Sequence, residues 1–176
     1  VSAPSTIWQS DKTYIPIDTR HYYAVFIIDV YTKKIVGYSV SDNMRASANI
    51  RALRMALENH VPPQIHHSDR GSQYTYGGYT DLLESNGTRV SMALSGQDNA
   101  YAERINRTIK NDYIEIWKPQ TFPQLKARMK QAVHNYNNVR THNNINKKTP
   151  AEFEKEWNTL ETKDRKTITI FNNEIL

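Results

Sequence analysis

The chain has 176 residues, a formal net charge of +5 and no cysteine. Its length suits one domain with a substantial core, and the lack of cysteine excludes disulfides and Cys-ligated zinc. No apolar run approaches the roughly 20 residues of a membrane span, so we expect no membrane association.

Three strands are predicted before the first helix. Residues 6–15 contain β-forming side chains, and residues 21–31 form an almost continuous apolar and aromatic run. Such a run is typical of a central strand that is buried on both faces. Residues 34–40 predict a third strand, and the short links between the strands indicate antiparallel hairpins.

The middle of the chain alternates between helices and strands. The pattern predicts a helix over 46–60, a strand over 64–68, a helix over 76–86 and a strand over 88–92. Pro62 and Pro63 end the first helix, and Asn86-Gly87 close the second. Residues 93–97 form a small polar linker.

Two long amphipathic helices follow, one starting near Asn99 and the other over 121–139. Apolar side chains line one face of each helix at helical spacing: Ala102, Ile105, Ile109, Tyr113 and Ile116 in the first, and Leu125, Met129, Ala132, Val133 and Tyr136 in the second. We expect Asp98 to cap the first helix. Thr149-Pro150 begin a short helix, and residues 167–171 predict an isolated strand.

This order of elements predicts an α/β fold. Hairpin-connected strands followed by alternation indicate a mixed five-stranded sheet with helices on both faces. We assign residues 1–155 to this core and residues 156–176 to a C-terminal extension. Because the first residue is Val and a candidate site residue follows ten positions later, we interpret the chain as a fragment of a longer protein.

Positive charge is concentrated in one stretch. Residues 104–148 contain 10 Lys or Arg and only 2 Asp or Glu, and residues 1–100 are neutral overall. Such an excess attracts a polyanion, although a solvated basic helix surface is an equally good explanation. Within this stretch, we expect Lys126, Arg128 and Lys130 to contact DNA phosphates.

Three carboxylates stand in motifs that suit a metal site. Asp11 lies in a predicted strand, Asp69 lies at the end of another, and Glu103 lies in the first turns of a helix. Carboxylate oxygens are ligands for Mg²⁺ or Mn²⁺, and such ions serve enzymes that cut and join phosphodiesters. Asp29, inside the apolar second strand, is a candidate fourth carboxylate that needs partners there.

The neighbours of these carboxylates also favour a nucleic-acid site. Glu103, Arg107 and Lys110 share one helix face, although an ordinary surface ion pair is the plainer explanation. Arg70 and Gln73 follow Asp69 in a loop rich in donors. His66 and His67 point to opposite faces of a strand, so we expect packing or hydrogen bonding there rather than zinc binding.

Five motifs occur here in one order: WQSDKTY, HHSDRGSQY, DNAYAERINRTIK, YNNVRTH and TPAEF. Together they resemble the integrase catalytic core of bacterial insertion-sequence transposases, which is related to retroviral integrases. The resemblance covers about residues 6–155. It implies a ribonuclease-H-like fold and an Asp-Asp-Glu site with two Mg²⁺ or Mn²⁺ ions. In this sequence, the catalytic and metal-binding residues would be Asp11, Asp69 and Glu103.

The resemblance also implies a function, which is cleavage of the 3′ ends of a mobile element and their transfer into target DNA. Arg107 and Lys110 match positions that are often basic in related integrases. We further expect Arg70 to contact DNA, and Gln73, Asn99, Arg140 and His142 to support the site. For Arg140 and His142, contact with DNA is an alternative role, and packing is an equally good explanation. A homodimer or larger assembly is expected, acting in the bacterial cytoplasm at the nucleoid.

Two other functions remain open on the sequence alone. A ribonuclease H acting on RNA–DNA hybrids could share the strand order and the metal chemistry. A catalytically silent module for DNA binding or oligomerisation would retain the fold without the reaction. Cleavage of a hybrid, or metal-independent DNA affinity without product, would identify these alternatives.

Overall fold

A five-stranded mixed sheet forms the centre of the molecule, described here by a computed structural model for residues 1–93 and 99–169. The strands are β1 (Ile7–Ile17), β2 (Arg20–Asp29), β3 (Ile35–Ser41), β4 (Ile65–Ser68) and β5 (Arg89–Met92). Their order in the sheet is β3-β2-β1-β4-β5. The first three strands pair antiparallel, and β4 and β5 join in parallel.

Seven α-helices accompany the sheet in the described residues. They are α1 (Ala46–Asn59), α2 (Ser72–Thr75), α3 (Gly77–Glu84), α4 (Ala100–Ile109), α5 (Glu115–Trp117), α6 (Phe122–Asn138) and α7 (Pro150–Trp157). A π-helical turn, Lys110–Ile114, joins α4 to α5. Short 3₁₀ turns lie at Asn143–Ile145 and Thr162–Asp164. No helix in these described ranges is long and apolar enough to cross a membrane.

Both faces of the sheet are covered by apolar cores because alternate side chains of β2 point to opposite faces. On one face, Phe26 and Ile28 pack with Ile105 of α4 and Met129 of α6. On the other face, Val25 and Ile27 pack with Trp8, α1 and α3. This architecture confirms the predicted fold class.

The apolar face predicted for the first long helix is correct up to Ile109 but wrong at Ile116. Ile105 and Ile109 are fully buried, but Ile116 is 67% exposed. The π-helical turn holds one more residue than an α-helical turn and therefore rotates the side chains that follow it. As a result, Ile114 takes the buried position instead of Ile116. The predicted apolar face of α6 is confirmed.

The second strand is shorter than predicted because β2 ends at Asp29, two residues before Tyr31. The Asp29 carboxylate accepts hydrogen bonds from the backbone N–H groups of Tyr31 and Thr32, both at 2.9 Å. These bonds close a turn in which Lys33 adopts a positive φ of 65°. The carboxylate inside the apolar strand therefore acts as a turn residue.

Two further expectations concern loops and the end of the chain. The strand predicted over 167–171 is wrong for its described part, since residues 167–169 form no strand. Instead, Ile168 and Val1 exchange two backbone hydrogen bonds, of 2.7 and 2.6 Å. The predicted cap Asp98, most of the linker 93–97 and the end of the 167–171 segment lie outside the described residues.

Candidate active site

Asp11 and Asp69 lie next to each other on two parallel strands. The pairing of β1 with β4 ends at Ser10 opposite Ser68, so the next residue on each strand is one of the two aspartates. Neighbouring strands lie about 4.8 Å apart. The fold therefore brings together two carboxylates that are 58 positions apart in the sequence.

The loop after β4 orients Asp69. The backbone N–H of Gly71 donates to Asp69 Oδ1 at 2.8 Å. A Cβ atom at Gly71 would lie 2.9 Å from that same oxygen and 3.0 Å from Gln73 Oε1. A side chain at this position would therefore displace the Asp69 carboxylate or the Gln73 amide from the observed arrangement.

The start of α4 is attached to β1 by buried side chains. Gln9 Oε1 accepts hydrogen bonds from the backbone N–H groups of Tyr101 and Ala102, at 3.1 and 3.3 Å. These N–H groups belong to the first turn of the helix and have no partner within it. Asn99 Nδ2 donates to the carbonyl oxygen of Ser10 at 3.0 Å. Together these bonds fix the first turn of α4, which carries Glu103, beside the end of β1.

One side chain connects α4 directly to the first carboxylate. Asn106 Nδ2 donates to Asp11 Oδ2 at 2.7 Å, and the backbone N–H of Lys12 donates to Asp11 Oδ1 at 2.8 Å. Asn106 is 7% exposed, and its Oδ1 atom has no hydrogen-bond partner among the described residues. Each oxygen of Asp11 thus accepts one bond, which fixes the plane of the carboxylate.

Burial, more than any other cause, raises the pKa of Asp11 from 3.8 to about 6. The negative charges of Asp69 and Glu103 raise this pKa further, whereas the hydrogen bonds from Lys12 and Asn106 lower it. A half-buried carboxylate repelled by two others is stabilised by a nearby cation. Both other predicted carboxylates therefore act on Asp11 through space.

Among the described residues, the three carboxylates do not converge into a metal site. Glu103 lies in the first turn of α4, and its side chain is exposed. Within residues 1–93 and 99–169, no three His, Asp or Glu side chains converge closely enough to hold a metal ion. The oxygen donors of Asp11 and Asp69, and their mutual repulsion, fit a hard divalent cation. An exposed glutamate can rotate its side chain toward them.

Asp29 does not belong to this group. It pairs with Trp8 across the β1–β2 hairpin, whereas Asp11 pairs with Phe26. Asp29 and Phe26 are three residues apart along β2, a distance of about 10 Å. Trp8 packs on the α1 side of the sheet, whereas Asp11 contacts α4. Because three backbone N–H groups donate to its carboxylate, Asp29 already has the partners that its burial requires.

Several polar residues predicted to assist the site lie around it. Lys12 Nζ donates to Gln73 Oε1 at 3.0 Å, which connects β1 to the loop after β4. Arg70 is exposed directly after Asp69. On α4, Arg107 is exposed one turn after Glu103, and Lys110 begins the π-helical turn. These placements are compatible with phosphate contacts, which stay predictions.

The basic residues of α6 lie in another part of the molecule. Helix α6 packs against β3, two strands away from β1. Lys126 and Arg128 are exposed beside the aromatic rings of Phe122 and Trp117, and Lys130 is exposed on the same helix. The structure does not bring these three residues together with the carboxylates, and a DNA contact by them stays a prediction.

Arg140 and His142 also lie away from the carboxylates. They line a cavity with Arg104 of α4, whereas Glu103 and Arg107 do not line it. Arg140 Nη1 forms an ion pair with Asp112 at 2.7 Å. The His142 ring packs against Tyr136, with ring centroids 4.8 Å apart. Their predicted support of the carboxylates would therefore have to act through α4.

The two histidines of β4 are packed as expected. His66 Nε2 lies 3.0 Å from the hydroxyl of Tyr79, and His67 Nδ1 lies 3.0 Å from Ser91 Oγ. Burial lowers the pKa of His66 to about 3, so its ring is neutral. Gln9 and Asn106 were not predicted as site residues. The only sequence signal for Asn106 is a polar residue between Ile105 and Ile109 on an apolar helix face.

Comparisons with known proteins agree with this geometry. The chain matches the integrase core domain over residues 1–97, and a second integrase core domain model over residues 88–150. Two solved structures share the fold. The first is the HTLV-2 integrase catalytic core domain in complex with magnesium, with a TM-score of 0.72 and 19% identity, covering 86% of this chain and 97% of that one. The second is a chain of the simian T-cell lymphotropic virus intasome in complex with PP2A regulatory subunit B56 gamma. Its TM-score is 0.76 and its identity is 17%, covering 88% of this chain and 55% of that one.

Curated relatives are bacterial. The chain is 33% identical over 159 residues to the transposase for insertion sequence element IS904 of Lactococcus lactis, covering 88% of this chain and 63% of that protein. It is 36% identical over 159 residues to the IS629 transposase of Shigella sonnei, covering 88% of this chain and 53% of that protein. It is 32% identical to an IS600 protein of Shigella sonnei, covering 90% and 60%. The chain thus spans between half and two thirds of these relatives, and it belongs to the integrase core domain family.

Proposed function

We propose that this chain is the catalytic core of a DNA transposase, which cleaves the ends of a mobile element and transfers them into target DNA. The observation that carries the proposal is the group of Asp11, Asp69 and Glu103, held by β1, β4 and α4. The family membership and the transposases among the relatives support the same chemistry.

The three carboxylates would hold two Mg²⁺ or Mn²⁺ ions, once Glu103 turns toward the aspartates. When bound, such ions lower the pKa of an attacking water or 3′-hydroxyl and stabilise the leaving oxygen. Asn106 and the backbone of Lys12 fix the orientation of Asp11, and Gly71 fixes that of Asp69. Preorganised ligands reduce the reorganisation required during the reaction.

The cations around the site would position DNA. Arg70, Arg107 and Lys110 flank the carboxylates and carry the charge needed to bind phosphates. We further propose that the acting species is a dimer or a larger assembly, because strand transfer acts on paired DNA ends. Dimeric and trimeric forms of the HTLV-2 integrase core support this idea.

The direct test is Mn²⁺-dependent strand joining on a preassembled branched DNA, which needs no recognition of element ends. We expect product from the wild-type chain and a loss of at least ~10³-fold for Asp69→Asn, because loss of one electrostatic contact typically costs ~10²–10³. Asp81→Asn, an exposed aspartate on α3, is the matched control and should keep full activity.

Equal activity of Asp69→Asn and the wild-type chain would reject the assigned site. Cleavage of an RNA–DNA hybrid without any strand joining would indicate a ribonuclease H instead. DNA binding that is unaffected by Mn²⁺, with no product from any substrate, would indicate a silent DNA-binding module.

A further inference from the structure

A second polar site lies on the other flank of α4. A cavity of about 290 Å³ opens between the β2–β3 turn, α4 and the segment after α6. We call it the cationic cavity, and its principal lining residues are Lys33, Tyr101, Arg104, Arg140, His142 and Asn144. None of the three proposed catalytic carboxylates lines it.

Lys33 forms the floor of the cationic cavity. It is only 7% exposed, and its Nζ donates to the carbonyl oxygen of Val30 at 2.6 Å. The same atom lies 3.9 Å from the ring centroid of Tyr101. Burial lowers the pKa of Lys33 to about 8, with smaller contributions from the charges of Arg104 and Lys166. At neutral pH the buried amine is therefore still mostly charged.

The acidic groups near the cavity do not balance its cations. Asp29 raises the pKa of Lys33 through space and offsets part of its charge. Asp112 pairs with Arg140, and both side chains are about 40% exposed. No carboxylate in residues 1–93 or 99–169 forms an ion pair with Arg104 or Lys33. The site consequently has an excess of positive charge.

Neutral hydrogen-bond donors complete the cationic cavity. His142 Nε2 is buried and has no partner among the described residues. Burial and the charge of Arg140 lower the pKa of His142, and the ring N–H that the Tyr136 backbone accepts lies on the other nitrogen, so in the neutral ring Nε2 is an acceptor that reports on the cavity rather than a donor to it. Thr141 and the amides of Asn143 and Asn144 stand at the exposed rim. Cations surrounded by neutral donors are suited to a phosphate group.

We propose that the cationic cavity binds a backbone phosphate of DNA, held by Lys33, Arg104 and Arg140 while the reacting phosphodiester lies at the carboxylates. This inference rests on DNA being the substrate of the proposed function. The phosphate belongs to a polymer rather than to a free ion because Arg104 and the rim residues are exposed. Glu103 and Arg104 are consecutive, so one DNA strand crossing the start of α4 reaches both sites.

The test compares two charge reversals of exposed arginines. Arg104→Glu changes the cationic cavity, and the control Arg54→Glu changes α1 on the opposite face of the sheet. Binding of a fluorescent 30-base-pair duplex is measured by anisotropy in EDTA between 50 and 200 mM salt. We expect affinity to fall about tenfold for Arg104→Glu and less than twofold for Arg54→Glu. The slope of log K against log salt should fall by about 1 only for Arg104→Glu.

A second readout locates the contact. The ring nitrogens of His142 are followed by NMR during titration with the duplex or with inorganic phosphate, and exposed His134 of α6 is the internal reference. The duplex should shift the His142 signals in the wild-type chain but not in Arg104→Glu. Thermal unfolding of both variants checks that the fold is retained.

Equal affinities and salt slopes for the two variants would overturn the proposal, as would unchanged His142 signals with the duplex. A shift caused by inorganic phosphate alone would overturn it in favour of a small-anion site. Because binding is measured without metal, these outcomes do not depend on catalysis. Failure of strand joining with this binding intact would reject the proposed function and leave the cavity assignment standing.

Discussion

The two flanks of α4 carry charges of opposite sign, negative on one flank and positive on the other. On one flank, the negative charges of Asp69 and Glu103 act on Asp11 and raise its pKa, which favours a nearby cation. On the other flank, Arg104 stands beside Lys33 and Arg140, where an excess of positive charge favours an anion. One residue step rotates the side chain by about 100° around the helix. A single ten-residue helix, attached to β1 by Gln9, therefore places both groups in a fixed relation.

This contrast separates two contributions to a DNA reaction. The acidic flank is suited to the bond-breaking centre, where interactions must strengthen in the transition state. The cationic flank is suited to binding DNA equally in the ground state and the transition state. Variants that change one flank at a time test whether catalysis and DNA binding are assigned to separate flanks.

The largest expected difference is between the neighbouring changes Glu103→Gln and Arg104→Gln. Glu103→Gln should lower kcat for strand joining at least ~10³-fold, because a metal ligand is lost, and leave DNA affinity unchanged. Arg104→Gln should raise KM severalfold and leave kcat within about threefold, as expected for the loss of uniform binding. Steady-state kinetics in Mn²⁺ measure both. Equal loss of kcat in the two variants would show that the flanks do not have separate roles.

A smaller effect concerns the stability cost of the acidic flank. The pKa of folded Asp11 is raised to about 6 from 3.8, so stability falls as pH rises from about 4 to 6. Above this range, the ionised carboxylate costs about 1–2 kcal/mol after allowance for its partial exposure. Asp11→Asn should raise the free energy of unfolding by about that amount at pH 7.5 in EDTA, measured by urea denaturation.

Divalent metal should reverse the order of stability of Asp11→Asn and the wild-type chain. If the carboxylates hold Mn²⁺ as proposed, the ion should raise the Tm of the wild-type chain, whereas Asp11→Asn should gain little. If Asp11→Asn were less stable than the wild-type chain in EDTA at every pH, repulsion among the carboxylates would not be the dominant effect at Asp11.

The smallest effect concerns the cationic flank. Asp112 forms a partly exposed ion pair with Arg140, and such pairs contribute about 0–1 kcal/mol. Asp112→Asn should release Arg140 toward the cationic cavity and tighten duplex binding about two- to fivefold at 50 mM salt. Asp81→Asn makes the same change in net charge on α3, and anisotropy should detect no comparable gain. An identical gain in both variants would assign the effect to net charge.

The strands and long helices were predictable because their signals are local. The apolar run before Asp29 specifies a central strand wherever its partners lie, and the periodicity of α6 specifies its buried face. Local patterns could not reveal the π-helical turn, since Ile114 and Ile116 are both apolar and the sequence fits either spacing. The strand predicted near Ile168 does not form in residues 167–169, because β propensity alone does not provide a neighbouring strand with which to pair.

The candidate site was predictable in its parts but not in its connections. Motifs identified Asp11, Asp69 and Glu103, and the strand register places the two aspartates side by side. Asn106 could not be assigned to Asp11 because the two residues are 95 positions apart. The cationic cavity was also unforeseen. Lys33 reaches Arg104 and Arg140 only when the β2–β3 turn folds beside α4.

The π-helical turn has a consequence for how related chains can differ in length. Its five residues contain one residue more than a regular helical turn, so a chain shorter by one position here could form a continuous α-helix. Residues before Lys110, including Glu103 and Arg104, would keep their orientations. The segment Glu115–Trp117 would rotate by about 100° relative to the sheet. We therefore expect a single-residue deletion here to leave the geometry that α4 imposes intact.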